Sequence, residues 1–303
     1  MRRSPLAAAS RLALVALLAS APAGRGESTP TPAVDEAKQV ALIREALEDG
    51  NLEEASVRGE RAVAALPQSS LVHQWTGRAY AARAVAATDV SAVLWGHRAE
   101  RLLTKAVELD PASTEARFDL LAALLRPEGL GGTDLAGAEG QAREIGRLDA
   151  ALGHVAQATI LEAQSKLDAA GAEYRKAFEL KPGSRRAFVG VVEFEARAGN
   201  YAAAVAAAKR ARSMTTDPLP SYLLGRLAVQ FSRDLPDGLA AFDEYLAKKP
   251  LPESPSLADA HWRKGQIYQR LGKAAEAKAE YAAALKLTPG HPEASRELTK
   301  LSK

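Results

Sequence analysis

The chain has 303 residues with 40 Lys and Arg against 37 Asp and Glu, and it contains no cysteine. The lack of cysteine excludes disulfides, thiolate metal sites and a cysteine nucleophile. Residues 1–23 carry three Arg and no acid, so the rest of the chain has 37 basic and 37 acidic residues. That balance gives no support for a nucleic-acid-binding surface.

The first residues have the layout of a cleaved signal peptide. The first segment is positively charged, with Arg2, Arg3 and Arg11 and no acid. The apolar run LALVALLA follows at 12–19, and the small-residue stretch SAPAGRG comes next. This apolar run is too short for a spanning helix, which needs about 20 residues. The pattern predicts cleavage after Ala23, or as late as residue 26, and a disordered linker at 24–34. Export without disulfides predicts a periplasmic or secreted bacterial protein.

From residue 35 onward, apolar residues recur at helical spacing in units of regular length. Pro182 and Pro250, which each close a unit, are separated by two such units. Glycine-containing turns, EDGN (48–51), ARAGN (196–200) and RLGK (270–273), divide the units into two helices. Small residues follow at spacings of three and four, which predicts that the helices pack closely along one stripe. The stripe residues are Ala204, Ala208 and Ala211 in one unit and Ala277, Tyr281 and Ala284 in another.

Two stretches, HWRKGQIYQRLGKAAEAKAEYAAALKLTP (261–289) and KLDAAGAEYRKAFELKP (166–182), resemble the tetratricopeptide repeat family. The resemblance implies an all-α fold, a right-handed superhelical solenoid of about seven helix-turn-helix units over residues 35 to about 289. A last helix from Pro292 to Leu301 would cap the exposed end. The solenoid as a whole would occupy 35–303.

Three departures from the repeat predict insertions, near 81–98, 126–134 and 250–256. The first lies in a second unit that is longer than the others, and it predicts a long second helix at about 89–109. Trp95 in this helix fits simple packing, with an interface anchor as the alternative.

No motif predicts catalysis, a metal or a cofactor. The GLGG stretch at 129–132 follows a helix and not a strand, and there is no HExxH, no GxSxG and no committed carboxylate pair. His73, His154 and His261 belong to three separate units, so they are expected to pack against adjacent helices. His97 and His291 are interpreted as solvated. We therefore expect a protein that is not an enzyme.

In the family that the sequence resembles, the first helices line a concave groove that binds proteins. Projecting that pattern predicts twelve partner-binding residues: Gln74, Arg78, Thr159, Glu162, Val189, Glu193, Arg197, Tyr222, Arg226, Trp262, Gln266 and Arg270. Asn51 and Asn200, the only asparagines, fall in turns, which argues against the carboxylate clamp of chaperone-binding members.

The sequence thus predicts a non-catalytic scaffold or adaptor of the bacterial cell envelope that holds a partner peptide or helix. It predicts that the protein has no nucleic-acid partner and does not insert stably into a membrane after signal cleavage. Two alternatives stay open: a structural factor that self-associates through the apolar inserts, and a protein that binds a glycan or small molecule near Trp262.

Overall fold

The computed structural model describes residues 35–126, 132–248, 250–251 and 254–301. The predicted signal peptide and the linker at 24–34 lie outside the described residues, and so do parts of the predicted insertions at 126–134 and 250–256. Within these ranges the chain forms fifteen α-helices and no β-strand.

The helices, in chain order, are α1 (Glu36–Glu48), α2 (Leu52–Ala65), α3 (Ser70–Ala86), α4 (Ser91–Leu109), α5 (Thr114–Leu124), α6 (Leu135–Leu148), α7 (Ala150–Ala163), α8 (Leu167–Leu180), α9 (Arg185–Arg197), α10 (Tyr201–Met214), α11 (Leu219–Phe231), α12 (Leu235–Leu246), α13 (Leu257–Arg270), α14 (Ala274–Leu287) and α15 (Pro292–Leu301). None of those helices combines the length and the hydropathy that a membrane crossing requires.

Contacts between helices are local along the chain. Each helix packs against the next one, and several odd-numbered helices also contact the next odd-numbered one, as α1 does α3 and α11 does α13. Such nearest-neighbour packing is what makes a solenoid. The predicted all-helical solenoid of seven helix pairs with a terminal helix is confirmed.

Helix ends follow from local sequence. The three predicted turn glycines, Gly50, Gly199 and Gly272, have φ of 72°, 78° and 73°, which glycine adopts without the clash of a Cβ atom. At the start of α13, the Ser256 hydroxyl accepts a hydrogen bond from the Asp259 backbone N–H, while the Asp259 carboxylate accepts one from the Ser256 N–H. This capping box fixes where the helix begins.

The core is built from small residues opposite large ones. A Cβ atom on Gly265 of α13 would lie 2.5 Å from the ring of Tyr281 in α14, and one on Gly77 of α3 would lie 2.7 Å from Leu103 in α4. The predicted stripe residues of α10 and α14 are buried. The two helices of a pair therefore approach closely, as the sequence predicts.

One pair is longer than the others. Helices α3 and α4 have 17 and 19 residues, whereas α1, α2 and α5 to α14 have 11 to 14. The extra residues amount to about one helical turn per helix.

Candidate partner-binding groove

The twelve predicted binding residues all lie on first helices of their pairs: Gln74 and Arg78 on α3, Thr159 and Glu162 on α7, Val189, Glu193 and Arg197 on α9, Tyr222 and Arg226 on α11, and Trp262, Gln266 and Arg270 on α13.

The structure brings several of these residues together as ion pairs between first helices. Arg197 of α9 donates a hydrogen bond to Glu162 of α7, and Nη2 of Arg226 in α11 lies 2.5 Å from a carboxylate oxygen of Glu193 in α9. In both pairs the two residues are about one repeat apart in the sequence. Each pair therefore joins the equivalent faces of two successive units.

A third link of this kind includes a residue that the sequence did not indicate. Both Arg78 Nε and Gln74 Nε2 donate to Oδ2 of Asp119 in α5, at 2.7 and 2.6 Å. Because Gln74 is only 4% exposed, it positions the carboxylate and offers little surface of its own. The charges along the first helices are thus largely neutralised within the chain. A partner therefore has to replace one member of an existing ion pair with a charged group of its own, or bind to the uncharged part of the surface.

Tyr222 and Thr159 both make hydrogen bonds within the chain. Tyr222 is 5% exposed, its hydroxyl accepts a hydrogen bond from Arg263 Nε at 2.8 Å, and burial raises its pKa. The Thr159 hydroxyl donates to the carbonyl of Val155, one turn earlier in its own helix, at 3.0 Å. The Tyr222 bond joins α11 to α13, whereas the Thr159 bond stays within α7.

At the C-terminal end of the first-helix face, two buried polar atoms have no hydrogen-bond partner among the described residues. They are Trp262 Nε1 and Gln266 Oε1, whereas Arg270 is exposed. The Trp262 ring packs 5.7 Å from the ring of His291, the residue just before α15. His291 was interpreted as solvated, and this is wrong. It is 6% exposed, and its Nδ1 lies 3.3 Å from the Ala294 backbone N–H that it caps.

A recess along the first helices has a volume of about 600 Å³ and lies between α3, α5 and α9. Trp75 of α3 lines the recess together with Arg78, whose Cζ lies 4.4 Å from the ring centre. Arg44 of α1 also approaches this ring, with its Cζ 5.1 Å from the centre. Arg186 of α9 donates to Glu115 of α5 across the recess. Val189, a predicted binding residue, also lines it.

No sequence pattern had indicated Trp75, Arg186 or Glu115 as residues of this recess. Trp75 directly follows Gln74 on the same helix, so the prediction of Gln74 as a binding residue was the one sequence feature that pointed to this region. Arg186 and Glu115 are about two units apart in the sequence, and only the curvature of the stack brings them together.

Two histidines occupy equivalent positions and make equivalent contacts. Nδ1 of His154 lies 2.5 Å from Glu173, and Nδ1 of His261 lies 2.6 Å from Glu280, in both cases on the second helix of the same unit. Burial by itself would raise the pKa of Glu173 and Glu280, but the hydrogen bonds from these histidines and from nearby lysines outweigh it, and both pKa values are lowered. These pairs lock the first helix of a unit to its second.

Among the described residues, no group of three or more His, Cys, Asp and Glu side chains could hold a metal ion. The pairs, recesses and helix stack together define a helical repeat protein with a preformed polar and aromatic surface on its first helices.

Residues 258–291, which span α13, α14 and the turn before α15, match the family model of the tetratricopeptide repeat. The match supports the resemblance to this family that the sequence shows, and it covers the residues of one repeat unit. No curated protein sequence matches the chain.

Solved structures similar to the chain include the APC/C hetero-tetramer Cut9–Hcn1, with 15% identity over 87% of this chain and 48% of that one and a TM-score of 0.49. A tetratricopeptide repeat protein from Parabacteroides merdae has 13% identity over 88% of this chain and 99% of that one, with a TM-score of 0.45. PilF of Pseudomonas aeruginosa has 16% identity over 74% and 97%, with a TM-score of 0.44. This chain thus spans about half of the Cut9–Hcn1 chain that it matches.

Proposed function

We propose that this protein is a non-catalytic scaffold that holds a partner protein on its first-helix face, and that it works in the bacterial cell envelope. The observation that carries the binding proposal is the recess of about 600 Å³ between α3, α5 and α9. It combines a large aromatic ring, aliphatic side chains at its edge and a partly exposed ion pair. Such a mixture is typical of the centre and rim of a protein interface.

The recess suits a peptide segment or helix with an apolar side chain. That side chain would pack on Trp75, which lines the recess. A charged neighbour would exchange with the partly exposed pair of Arg186 and Glu115. The helices that carry these residues are fixed by core packing, so little conformational entropy is lost on binding.

The binding site can be tested by site-specific photo-crosslinking in intact cells. A photoreactive residue replaces Leu71, which is 41% exposed at the edge of the recess, or Leu180, which is 58% exposed on the second helix α8. We expect a discrete adduct from position 71 and none from position 180. Equal adducts from both positions would contradict a site in the recess.

A charge reversal sharpens the assignment. Arg186→Glu places two carboxylates side by side in the recess, so it should reduce the adduct from position 71. Arg212→Glu is the matched control. Arg212 also pairs with a partly exposed carboxylate, that of Glu244 at 3.4 Å, but Arg212 lies on the second helix α10 and therefore away from the recess. An adduct that survives Arg186→Glu would place the partner elsewhere.

The envelope location has its own test. We expect the expressed chain to be recovered from the periplasm or the medium with a new N-terminus between residues 24 and 27. The same chain without residues 1–23 should stay in the cytoplasm. Retention of the full-length N-terminus would contradict cleavage.

A further inference from the structure

A recess on the second helix of the longest pair is lined by basic and aromatic side chains. It has a volume of about 480 Å³, and its lining consists of Tyr80, Leu94, Trp95, His97, Arg98 and Arg101. We call it the α4 recess, since all of these residues except Tyr80 lie on α4. Among the described residues no carboxylate is part of its lining, whereas the recess of the first-helix face contains Glu115. The two recesses therefore suit ligands of different charge.

Positive charge at the α4 recess exceeds negative charge. The carboxylate of Glu60 in α2 is taken up by Arg98, whose Nη2 lies 2.7 and 2.8 Å from its two oxygens. Arg101 is exposed, and Arg83 of α3 donates to the neutral hydroxyl of Ser56 at 2.8 Å. Neither Arg83 nor Arg101 forms an ion pair with any residue that the structure describes. A ligand that brings a carboxylate is therefore favoured electrostatically.

Apolar and charged groups of the recess follow one another along α4. Leu94, Arg98 and Arg101 are spaced by four and three residues, so they share one face of the helix. Leu94 is 68% exposed. The ring of Trp95 beside it is held by Arg83, whose Cζ lies 4.0 Å from the ring centre. An apolar floor thus lies within about two helical turns of the unpaired guanidinium of Arg101.

The apolar floor narrows the class of anion that fits. A phosphate polymer supplies negative charge but no aliphatic group to cover Leu94. A membrane of anionic lipid would bring its headgroups against Asp89, which is exposed just before α4 and has the same charge. A protein segment with a carboxylate near an apolar side chain supplies both contacts. Tryptophan, tyrosine and arginine, which line the recess, are also the residue types that carry most of the binding energy at protein interfaces.

We propose that the α4 recess binds an acidic segment of a partner protein, in which a carboxylate lies close to an aromatic or aliphatic side chain. The apolar side chain packs on Leu94 and Trp95. The carboxylate pairs with Arg101, in the field of the nearby guanidinium groups of Arg83 and Arg98. The α4 recess shares no lining residue with the recess between α3, α5 and α9, so this site does not depend on the proposed function.

Peptide selection tests the recess directly. A phage library of short random peptides is selected on the chain without residues 1–23, and every enriched peptide is then tested on the Arg101→Glu variant. We expect the peptides that lose binding to this variant to be rich in Asp and Glu next to Leu, Phe or Trp. Peptides that bind the first-helix recess should instead lose binding to Arg186→Glu, so the two sites are told apart.

Fluorescence polarisation with one selected acidic peptide measures the two kinds of contact separately. Arg101→Glu should raise the Kd by about tenfold or more through repulsion of the carboxylate, and Trp95→Ala should raise it by about fivefold through loss of the apolar floor. Arg143→Glu is the matched control, because it makes the same change at an exposed arginine of another second helix, α6, and it should leave the Kd unchanged. Circular dichroism checks that every variant is folded.

Two results would overturn the proposal: a selection in which no acidic peptide loses binding to Arg101→Glu, or an Arg143→Glu variant that weakens binding as much as Arg101→Glu does. Polyphosphate and vesicles of anionic phospholipid are tested in parallel on the wild type and on Arg101→Glu. If either of them binds through Arg101 while no acidic peptide is selected, the recess belongs to a phosphate-bearing polymer or a membrane, and a protein segment is overturned as its occupant.

Discussion

The seventh helix pair, α13 and α14, and the second, α3 and α4, share the same central contact but differ in their outer parts. In both, a glycine of the first helix faces a large side chain of the second, Gly265 against Tyr281 and Gly77 against Leu103. The seventh pair ends in a short glycine turn, whereas the second continues for about one turn and exposes aliphatic residues. The comparison indicates that repeat positions determine packing, while residues added to the repeat determine surfaces.

The largest expected effect comes from removing a large side chain at a repeat position. Tyr281→Ala should lower the free energy of unfolding by about 3–5 kcal/mol, because it opens a cavity in the core and removes the hydrogen bond from the hydroxyl to Gln269. Trp95→Ala, in the added part of the second pair, should cost only about 1 kcal/mol through loss of the stacking with Arg83. Chemical denaturation of both variants measures the two losses of unfolding free energy. Equal losses would contradict the distinction between repeat positions and added residues.

The next effect tests whether the two central contacts are equivalent. Gly265→Ala and Gly77→Ala should each destabilise the protein by about 1–3 kcal/mol, since the added methyl group has no space. Gly140→Ala in α6 is the control. Its Cβ would meet only the end of the Arg143 side chain, at 3.9 Å, so alanine should stabilise the helix by up to about 1 kcal/mol. A destabilised Gly140→Ala variant would show that helix geometry, and not crowding, sets the cost.

A third test separates the packed face of a helix pair from the face that carries ion pairs. Ala208→Leu should lower stability by about 1–3 kcal/mol, because Ala208 is fully buried in α10. Arg197→Ala removes a side chain that is 57% exposed, so it should change stability by less than about 1 kcal/mol. Thermal melting of the two variants should differ accordingly, and similar shifts would contradict the assignment of the faces.

The smallest effect concerns pH and the His261–Glu280 pair of the seventh unit. The pKa of Glu280 is lowered in the folded chain from 4.5, so its ionised form stabilises the fold above that value. This contribution is lost as the pH falls through the lowered pKa, because protonation breaks the bonds from His261 and Lys264. Denaturation curves between pH 7 and pH 3 should therefore be less pH-dependent for Glu280→Gln than for the wild type. Glu276→Gln, at an exposed position of the same helix, should keep the wild-type profile.

The fold could be predicted because the information is local. Glycine in the turns and alanine or tyrosine at fixed offsets decide where helices end and which faces meet, as Gly272, Ala208 and Tyr281 show. The binding surface could be predicted only in part. The helical spacing placed Glu162 and Arg197 on the first helices, but it gave no sign that they bond to each other.

The sequence alone determined the repeat, the helix pairs and the small-residue stripes, since these depend on residues within a single unit. Only the tertiary structure decided which polar groups remain available, because that depends on distances between units. It brought Arg186 of α9 to Glu115 of α5, buried His291 against Trp262, and left Val90 and Leu94 uncovered. Curvature accumulates from unit to unit, so contacts across several units are set by the sum of many packing interactions and by no local pattern.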